Sequence, residues 1–274
     1  MKAELKSFRP ASYVKSQTKN IRKHVEESGV EGVILEVEND VDSCVTALLC
    51  SRAVTGSRLH AIYLLNRETH SQAALRNINR IARMGKFNLS VIEITTLFRN
   101  IMRELPMIRR GRPPGDASTR KSIALDFLSR LKMSILHYYS DTYQQTVCSS
   151  VNRSDFVLSG ATTWGDYAGD LHPLLSIYKT QVDMVARLLR VGFMVGPMTS
   201  FVTRLSPDLK ASYYEIDPIL LGVEKGWRDE DIAQDMGADL QTVQLARDLL
   251  QSSRRKRDSA VSDWLEIESS SAED

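Results

Sequence analysis

Glu38, Asn39, Asp40, Val41, Asp42 and Ser43 put three carboxylates and a hydroxyl into six consecutive residues. They follow the aliphatic run "VILEV" and precede "CVTALLC", whose apolar residues have helical spacing. A strand–turn–helix unit of this kind is suited to holding a phosphate, because the first amides of a helix lack internal partners and point at an anion. Such a turn ordinarily uses glycine, so that backbone can approach the phosphate closely and adopt φ > 0. This one carries two acids and an asparagine. A plainer reading is also open, in which 38–43 is a capped helix start with Asp42 or Ser43 as the cap.

The surrounding elements give that turn its setting. Residues 1–30 predict a lead-in helix, "GVEGVILEVE" a buried strand, and 42–55 a helix. "RLHAIYLLN" is a second strand, 70–84 a helix ending near Gly85, and "FNLSVIEI" a third strand. Strands alternating with helices at this spacing predict βαβ units and a doubly wound parallel sheet flanked by helices, an α/β fold. The stretch 102–122, rich in Arg, Pro and Gly, reads as a loop. "ALDFLSRLKMSILHYYSD" reads as an amphipathic helix, "QQTVCSSV" as a short strand and 175–191 as a helix, with a helical segment from 216 onward. In an open parallel sheet ligands bind beyond the C-terminal ends of the strands. On that topology residues 38–43 and Arg67, after the second strand, are candidate contacts.

Composition excludes several classes. The 274 residues suffice for one large domain with a sizeable core. With 42% hydrophobic and 26% charged residues and a net charge of +2, the chain matches an ordinary globular protein and not a nucleic-acid binder. Cys44, Cys50 and Cys148 are too few and too scattered for a disulfide framework or a zinc site. Neither a signal-peptide core nor an apolar run of membrane-spanning length is present, so a cytoplasmic location is expected.

Several further segments, in order, carry a resemblance. "NRETHS" follows the second strand, and "DFLSRLKM", "SSVNRSD", "WGDYAGDLHPLLSIYKTQV" and "SYYEIDPILLGVEKGWRDEDIAQDMGADLQTV" come after it. Together with "ENDVDSCV" they resemble the ammonia-dependent NAD synthetases, of the adenine-nucleotide α-hydrolase type, from about residue 18 to residue 257. The last two segments are the most specific. On this resemblance residues 1–258 form a NAD synthetase-like domain, and 259–274 an acidic tail expected to be disordered.

The resemblance implies a two-step reaction. The carboxylate of nicotinic acid adenine dinucleotide attacks the α-phosphate of ATP and expels pyrophosphate, and ammonia then displaces AMP to form the amide of NAD. It implies that Asp42 and Asp155 hold Mg²⁺, with Asp155 standing where the family has Glu. Asp42 and Lys179 are the implied catalytic pair. Glu38, Asn39, Asp40, Ser43, Arg67 and Ser150 line the ATP phosphates with them. Arg130, Lys132, Asp166 and Asp170 are the implied contacts to the dinucleotide. A homodimer is implied as well, with "SRLKMSILHYYSD" offering a Leu, Met, Ile and Tyr face across a two-fold axis.

The same resemblance identifies what has changed. The family's Ser-Gly-Gly is Glu38-Asn39-Asp40 here. Asn and Asp tolerate left-handed backbone better than most residues, but two carboxylates beside a bound pyrophosphate should repel it. Ser150 replaces Thr, Thr163 replaces Lys and Asp126 replaces Asn, and the segment 197–213 is about two residues shorter. Two functions therefore stay open: a working ligase, or a catalytically impaired member that binds an adenine nucleotide in a regulatory or assembly role. Retained Asp42, Ser43, Arg67, Asp155, Asp170 and Lys179 favour the ligase. Two DNA-binding features are weighed and set aside. "RRGRPPG" at 109–115 has the core of a minor-groove hook, and 229–250 has helix-turn-helix proportions but only Arg247 as a base on its second helix. Scattered basic residues and the low net charge count against nucleic acid as a partner.

Overall fold

The computed structural model describes residues 1–68, 71–105, 117–158, 162–194 and 211–253. Four parallel strands form one sheet in the order β3-β2-β1-β4, with β1 at Gly32–Glu36, β2 at Leu59–Leu65, β3 at Asn88–Glu93 and β4 at Gln145–Val147. The helices are α1 (Lys2–Lys6), α2 (Pro10–Glu27), α3 (Val41–Ala53), α4 (Gln72–Gly85), α5 (Thr95–Glu104), α6 (Ala117–Tyr143), α7 (Arg153–Val157) and α8 (Lys179–Leu188). Three more follow: α9 (Tyr213–Glu224), α10 (Asp229–Met236) and α11 (Leu240–Ser252).

Alternation along the strands assigns each face. Val33, Leu35, Leu59, Ala61 and Tyr63 pack with α2, α3, α4 and α8 on one side. Ile34, Ile62, Leu64 and Val147 pack with Leu128, Met133 and Leu136 of α6 on the other. This is the doubly wound arrangement expected, since parallel strands need both faces covered. A third core, separate from the sheet, joins Ile216, Ile219 and Leu220 of α9 with Ile232, Val243 and Ala246 of the two helices after it. Leu5, Val157, Leu158 and Tyr178 also enter this core, tying the C-terminal helices to α7 and to the start of α8.

Several boundaries differ from expectation, each for a local reason. The lead-in helix is two helices, because Pro10 cannot donate an amide to a preceding turn and starts a new helix at its first position. Helix α5 occupies part of the stretch read as loop, and α6 begins at Ala117 rather than at 124. Helix α4 ends on Lys86 in a left-handed conformation (φ 54). Gly85 is small for another reason: an added Cβ would meet the Phe87 ring at 2.6 Å. The Leu, Met and Ile spacing of α6 faces the chain's own sheet, and Tyr138, 67% exposed, points away from it. The basic stretch 109–115, most of 197–213 and the tail 259–274 lie outside the described residues.

Candidate active site

Strand order decides which loops meet. The chain runs outward from β1 to β2 to β3 and then returns to place β4 on the far side of β1. The direction of winding therefore reverses between β1 and β4, and ligands in open α/β sheets bind at such a reversal. The two loops that leave the C-terminal ends there are 37–40, leading into α3, and 148–152, leading into α7.

The first loop is closed on itself. Asp40 is the N-cap of α3: its Oδ1 accepts from Ser43 N at 2.9 Å and its Oδ2 from Ser43 Oγ at 2.8 Å. Ser43 Oγ also accepts from Glu38 N at 2.9 Å. The cap is thus Asp40, and not Asp42 or Ser43, and it occupies the donors that a phosphate would use at this helix start. Burial, with Asp42 and Glu38 nearby, pushes the Asp40 carboxyl up to about 6, against the pull of its bond to Ser43. Asn39 is exposed and its Oδ1 accepts from Asn77 Nδ2 at 3.0 Å.

Glu38 turns the other way, onto Lys132 of α6. The same ammonium lies 2.8 Å from Glu36 Oε1. Burial pushes Glu36 up to about 8 despite this pairing. Burial alone would lower Lys132, but Glu36 and Glu38 outweigh it and hold the ammonium above its ordinary value. Lys132, implied as a dinucleotide contact, is therefore committed to two acids of its own chain, one of them absent from the sequence reading.

The second loop brings the expected partners together. Asn152 caps α7, accepting from Asp155 N at 3.0 Å. Its Nδ2 donates to Asp42 Oδ1 at 3.0 Å and to Asp155 Oδ2 at 2.6 Å, so one amide bridges the two carboxylates. Lys179, the first residue of α8, places its ammonium on Asp42 Oδ2. Asp42 is raised by burial, with Lys179 opposing and Asp155 adding to the rise. Lys179 is raised too, because Asp42 and Asp155 outweigh its own burial. Asp155 Oδ1 accepts from the Tyr213 hydroxyl at 2.7 Å. Sequence reasoning missed Asn152 and Tyr213. The spacing of "NRSD" is a capping signal that points to the first, and the second lies in the "SYYEIDPIL" segment that carries part of the resemblance.

The donor set fits a hard divalent cation. Two carboxylates from the first turns of different helices meet on one amide, and an ammonium already sits on one of them. Among the described residues no three His, Cys, Asp or Glu side chains form a metal-holding group, so phosphate oxygens and water would complete the shell, as Mg²⁺ prefers.

Ser150 is half-buried in the second loop. Arg67 sits past β2, one strand removed from the reversal, with its guanidinium on Glu93 Oε2 at 2.8 Å and its side chain 68% exposed. Arg130 is exposed and donates to Thr163 O at 3.1 Å. Asp166 builds a turn: its carboxylate accepts from Ser129 Oγ at 2.7 Å and from Thr162 N at 3.0 Å. Asp170 Oδ2 accepts from Val147 N at 2.8 Å, holding its segment beside β4. Gly169 permits that approach, since a Cβ there would come within 2.9 Å of Ser149 Cβ.

The NAD synthase family model matches residues 13–260. The chain belongs to the NAD synthase family. It is 30% identical to an NH(3)-dependent NAD(+) synthetase of Thermococcus sibiricus over 272 residues, spanning 91% of this chain and 97% of that protein. The corresponding protein of Methanocaldococcus jannaschii is 26% identical, with 88% and 92% covered. Among solved structures, the NH3-dependent NAD synthetase from Campylobacter jejuni superposes with a TM-score of 0.73 at 20% identity, covering 94% of this chain and all of that one. The NMN synthetase from Francisella tularensis also has a TM-score of 0.73, at 17% identity, with 93% of this chain and 98% of that one covered. These two likenesses establish the family's fold. No helix among the described residues is long and apolar enough to cross a membrane.

Proposed function

We propose that the chain is an ATP-dependent amide ligase that adenylates nicotinic acid adenine dinucleotide and aminates it with ammonia to give NAD. The observation that carries this is the meeting of Asp42, Asp155 and Lys179 at the β1/β4 reversal. Adenylation separates pyrophosphate from the α-phosphate, and the charge that develops needs fixed positive partners in a site closed to water. Lys179 stays protonated across the physiological range, so it is a permanent cation beside the leaving pyrophosphate. Asp42 and Asp155 would hold Mg²⁺, which neutralises phosphate charge when bound. Ser43 would hydrogen-bond the phosphates once Asp40 releases it. Ser150 belongs to the loop into α7 and would contact the ATP phosphates with Arg67, while Arg130, Asp166 and Asp170 would contact the dinucleotide.

The same reading includes two copies of the chain acting together. Ile123, Leu125, Tyr138 and Tyr143 of α6 and Leu97 and Met102 of α5, with Leu105 at its end, are exposed apolar residues on one sheet face. A second copy would cover such a face. Sedimentation at micromolar concentration should give twice the chain mass, and a monomer would remove this part of the reading. The activity is tested by incubating the protein with ATP, Mg²⁺, ammonium and nicotinic acid adenine dinucleotide. NAD and AMP should appear together; absence of both overturns the function. Parallel reactions with nicotinic acid mononucleotide identify the acceptor.

A further inference from the structure

The polar side of α9 has no part in the reading above. Tyr213, Asp217 and Glu224 are spaced i, i+4 and i+11 and so share one side of the helix. Tyr213 OH donates to Asp155 Oδ1 at 2.7 Å. Asp217 Oδ1 accepts from Ser154 Oγ at 2.6 Å, and its Oδ2 from Thr180 N at 2.8 Å. Ser154 Oγ in turn accepts from Lys179 N at 2.8 Å. The first two amides of α8, which have no partner inside their own helix, therefore both end on the Ser154–Asp217 pair. Glu224 completes the stripe by accepting from Arg153 and from the Tyr178 hydroxyl.

The partners fall into two runs. Arg153, Ser154 and Asp155 come from α7; Tyr178, Lys179 and Thr180 come from the start of α8. One helix thus grips both segments, and each segment carries a candidate functional residue. We propose that Tyr213 and Asp217 are positioning residues: α9 is a jig that sets Asp155 and Lys179 at a fixed separation on either side of Asp42. This rests on the ligase reading given above.

Packing alone does not require this arrangement. Ile216, Ile219, Leu220 and Val223 already seat α9 in the third core. Asp217 is completely buried, and an interior carboxylate is a costly choice where an apolar side chain would fill the space. Its hydrogen bonds all run to the two functional segments.

Three variants test it: Tyr213→Phe, Asp217→Asn and Asp217→Ala. For each, ATP binding is titrated by calorimetry with and without Mg²⁺, AMP formation is followed with the dinucleotide acceptor, and the ligand-free protein is melted. Tyr213→Phe should raise the Mg²⁺ concentration for half-maximal ATP binding about tenfold, while metal-free ATP binding and melting stay near wild type. Asp217→Asn should lower kcat for AMP formation roughly tenfold with little change in KM for ATP, and should retain part of what Asp217→Ala loses. Lower melting temperatures with unchanged Mg²⁺ dependence and unchanged kcat would overturn the proposal and make these residues packing only. Tyr213→Phe removes a single oxygen, so it decides the question even where an Asp217 variant fails to fold. A wild-type control that forms no AMP removes the ligase reading and this inference with it; active wild type with matching variants removes the inference alone.

Discussion

The two loops at the β1/β4 reversal solve the same problem in opposite ways. The loop into α3 satisfies its polar groups from within: Asp40 takes the Ser43 donors, and Glu38 is neutralised by Lys132. The loop into α7 is held from outside, with Asn152 reaching across to Asp42 and Asp155 reached by Tyr213 of a distant helix. A self-satisfied loop is stable without ligand but must give up its own bonds to receive one. An externally braced loop keeps its carboxylates in place whether or not ligand is bound. The acids at 38 and 40 thus lie in the loop that satisfies itself, whereas Asp42 and Asp155, the expected metal carboxylates, are tied together by Asn152.

The strongest way to break that comparison is to remove the cation both loops share. Lys179→Met leaves Asp42 buried without its ammonium, and breaking a buried ion pair costs about 3 to 5 kcal/mol. Denaturant unfolding should show that loss, and AMP formation should fall on the order of a hundredfold or more. A variant as stable as wild type would mean that Asp42 does not depend on Lys179.

Emptying the first loop should have the opposite sign. Glu38→Ser with Asp40→Gly frees the Ser43 donors and removes two acids from the phosphate path. ATP should bind about five- to hundredfold more tightly, the equivalent of roughly 1 to 3 kcal/mol, with the larger gain when Mg²⁺ is absent. The lost cap should cost about 1 kcal/mol of stability. Calorimetry on both proteins checks this; unchanged or weaker ATP binding in both conditions would show that the acids do not compete with phosphate.

A pH titration sharpens the contrast from the side of α9. Burial pushes Asp217 up to about 7, with its bonds to Ser154 and Thr180 pulling down. A carboxyl raised on folding binds its proton more tightly in the native state, so its favourable contribution is complete below the unfolded value and is lost as pH rises through about 7. Asp217→Asn has no such slope. Any stability deficit of the variant at pH 5 should therefore shrink by about 2 kcal/mol at pH 8, read from unfolding curves at both pH values. A constant difference would place the Asp217 pKa near that of an exposed carboxyl.

The smallest effect belongs to the periphery. Arg67→Ala removes an exposed ion pair with Glu93 and should change stability by no more than about 0.5 kcal/mol. Its effect on ATP binding should be well below that of Lys179→Met. A loss as large as that of Lys179→Met would bring Arg67 into the centre despite its place one strand away.

The sheet, its parallel winding and the placement of residues 38–43 beyond a strand end were legible because strand and helix periodicities are local. The pairing of Asp42 with Asp155 was legible only through the family resemblance, since 112 positions of chain lie between residues 42 and 155. The ion pairs of Lys132 were hidden for a related reason. Its neighbours on α6 say nothing of Glu36 and Glu38, which reach it across the sheet edge. Tyr213 and Asp217 lay in "SYYEIDPIL", which carries part of the resemblance but was given no role, because a polar stripe facing other helices has the same spacing as one facing water. The cap at Asp40 lay two positions from the nearer expected cap, since caps and phosphate loops draw on the same few amides.

Helix α9 also orders events in time. Asp42 leaves the ribosome more than 170 residues before Tyr213, and chains generally fold from the N-terminus as they are made. A nascent chain can build β1 and α3 early, but the brace for Asp155 and the anchor for the first turn of α8 arrive with the last quarter of the protein. Competence is therefore withheld until synthesis is nearly finished, and a truncated product lacking α9 is expected to be a folded-looking sheet without a working centre.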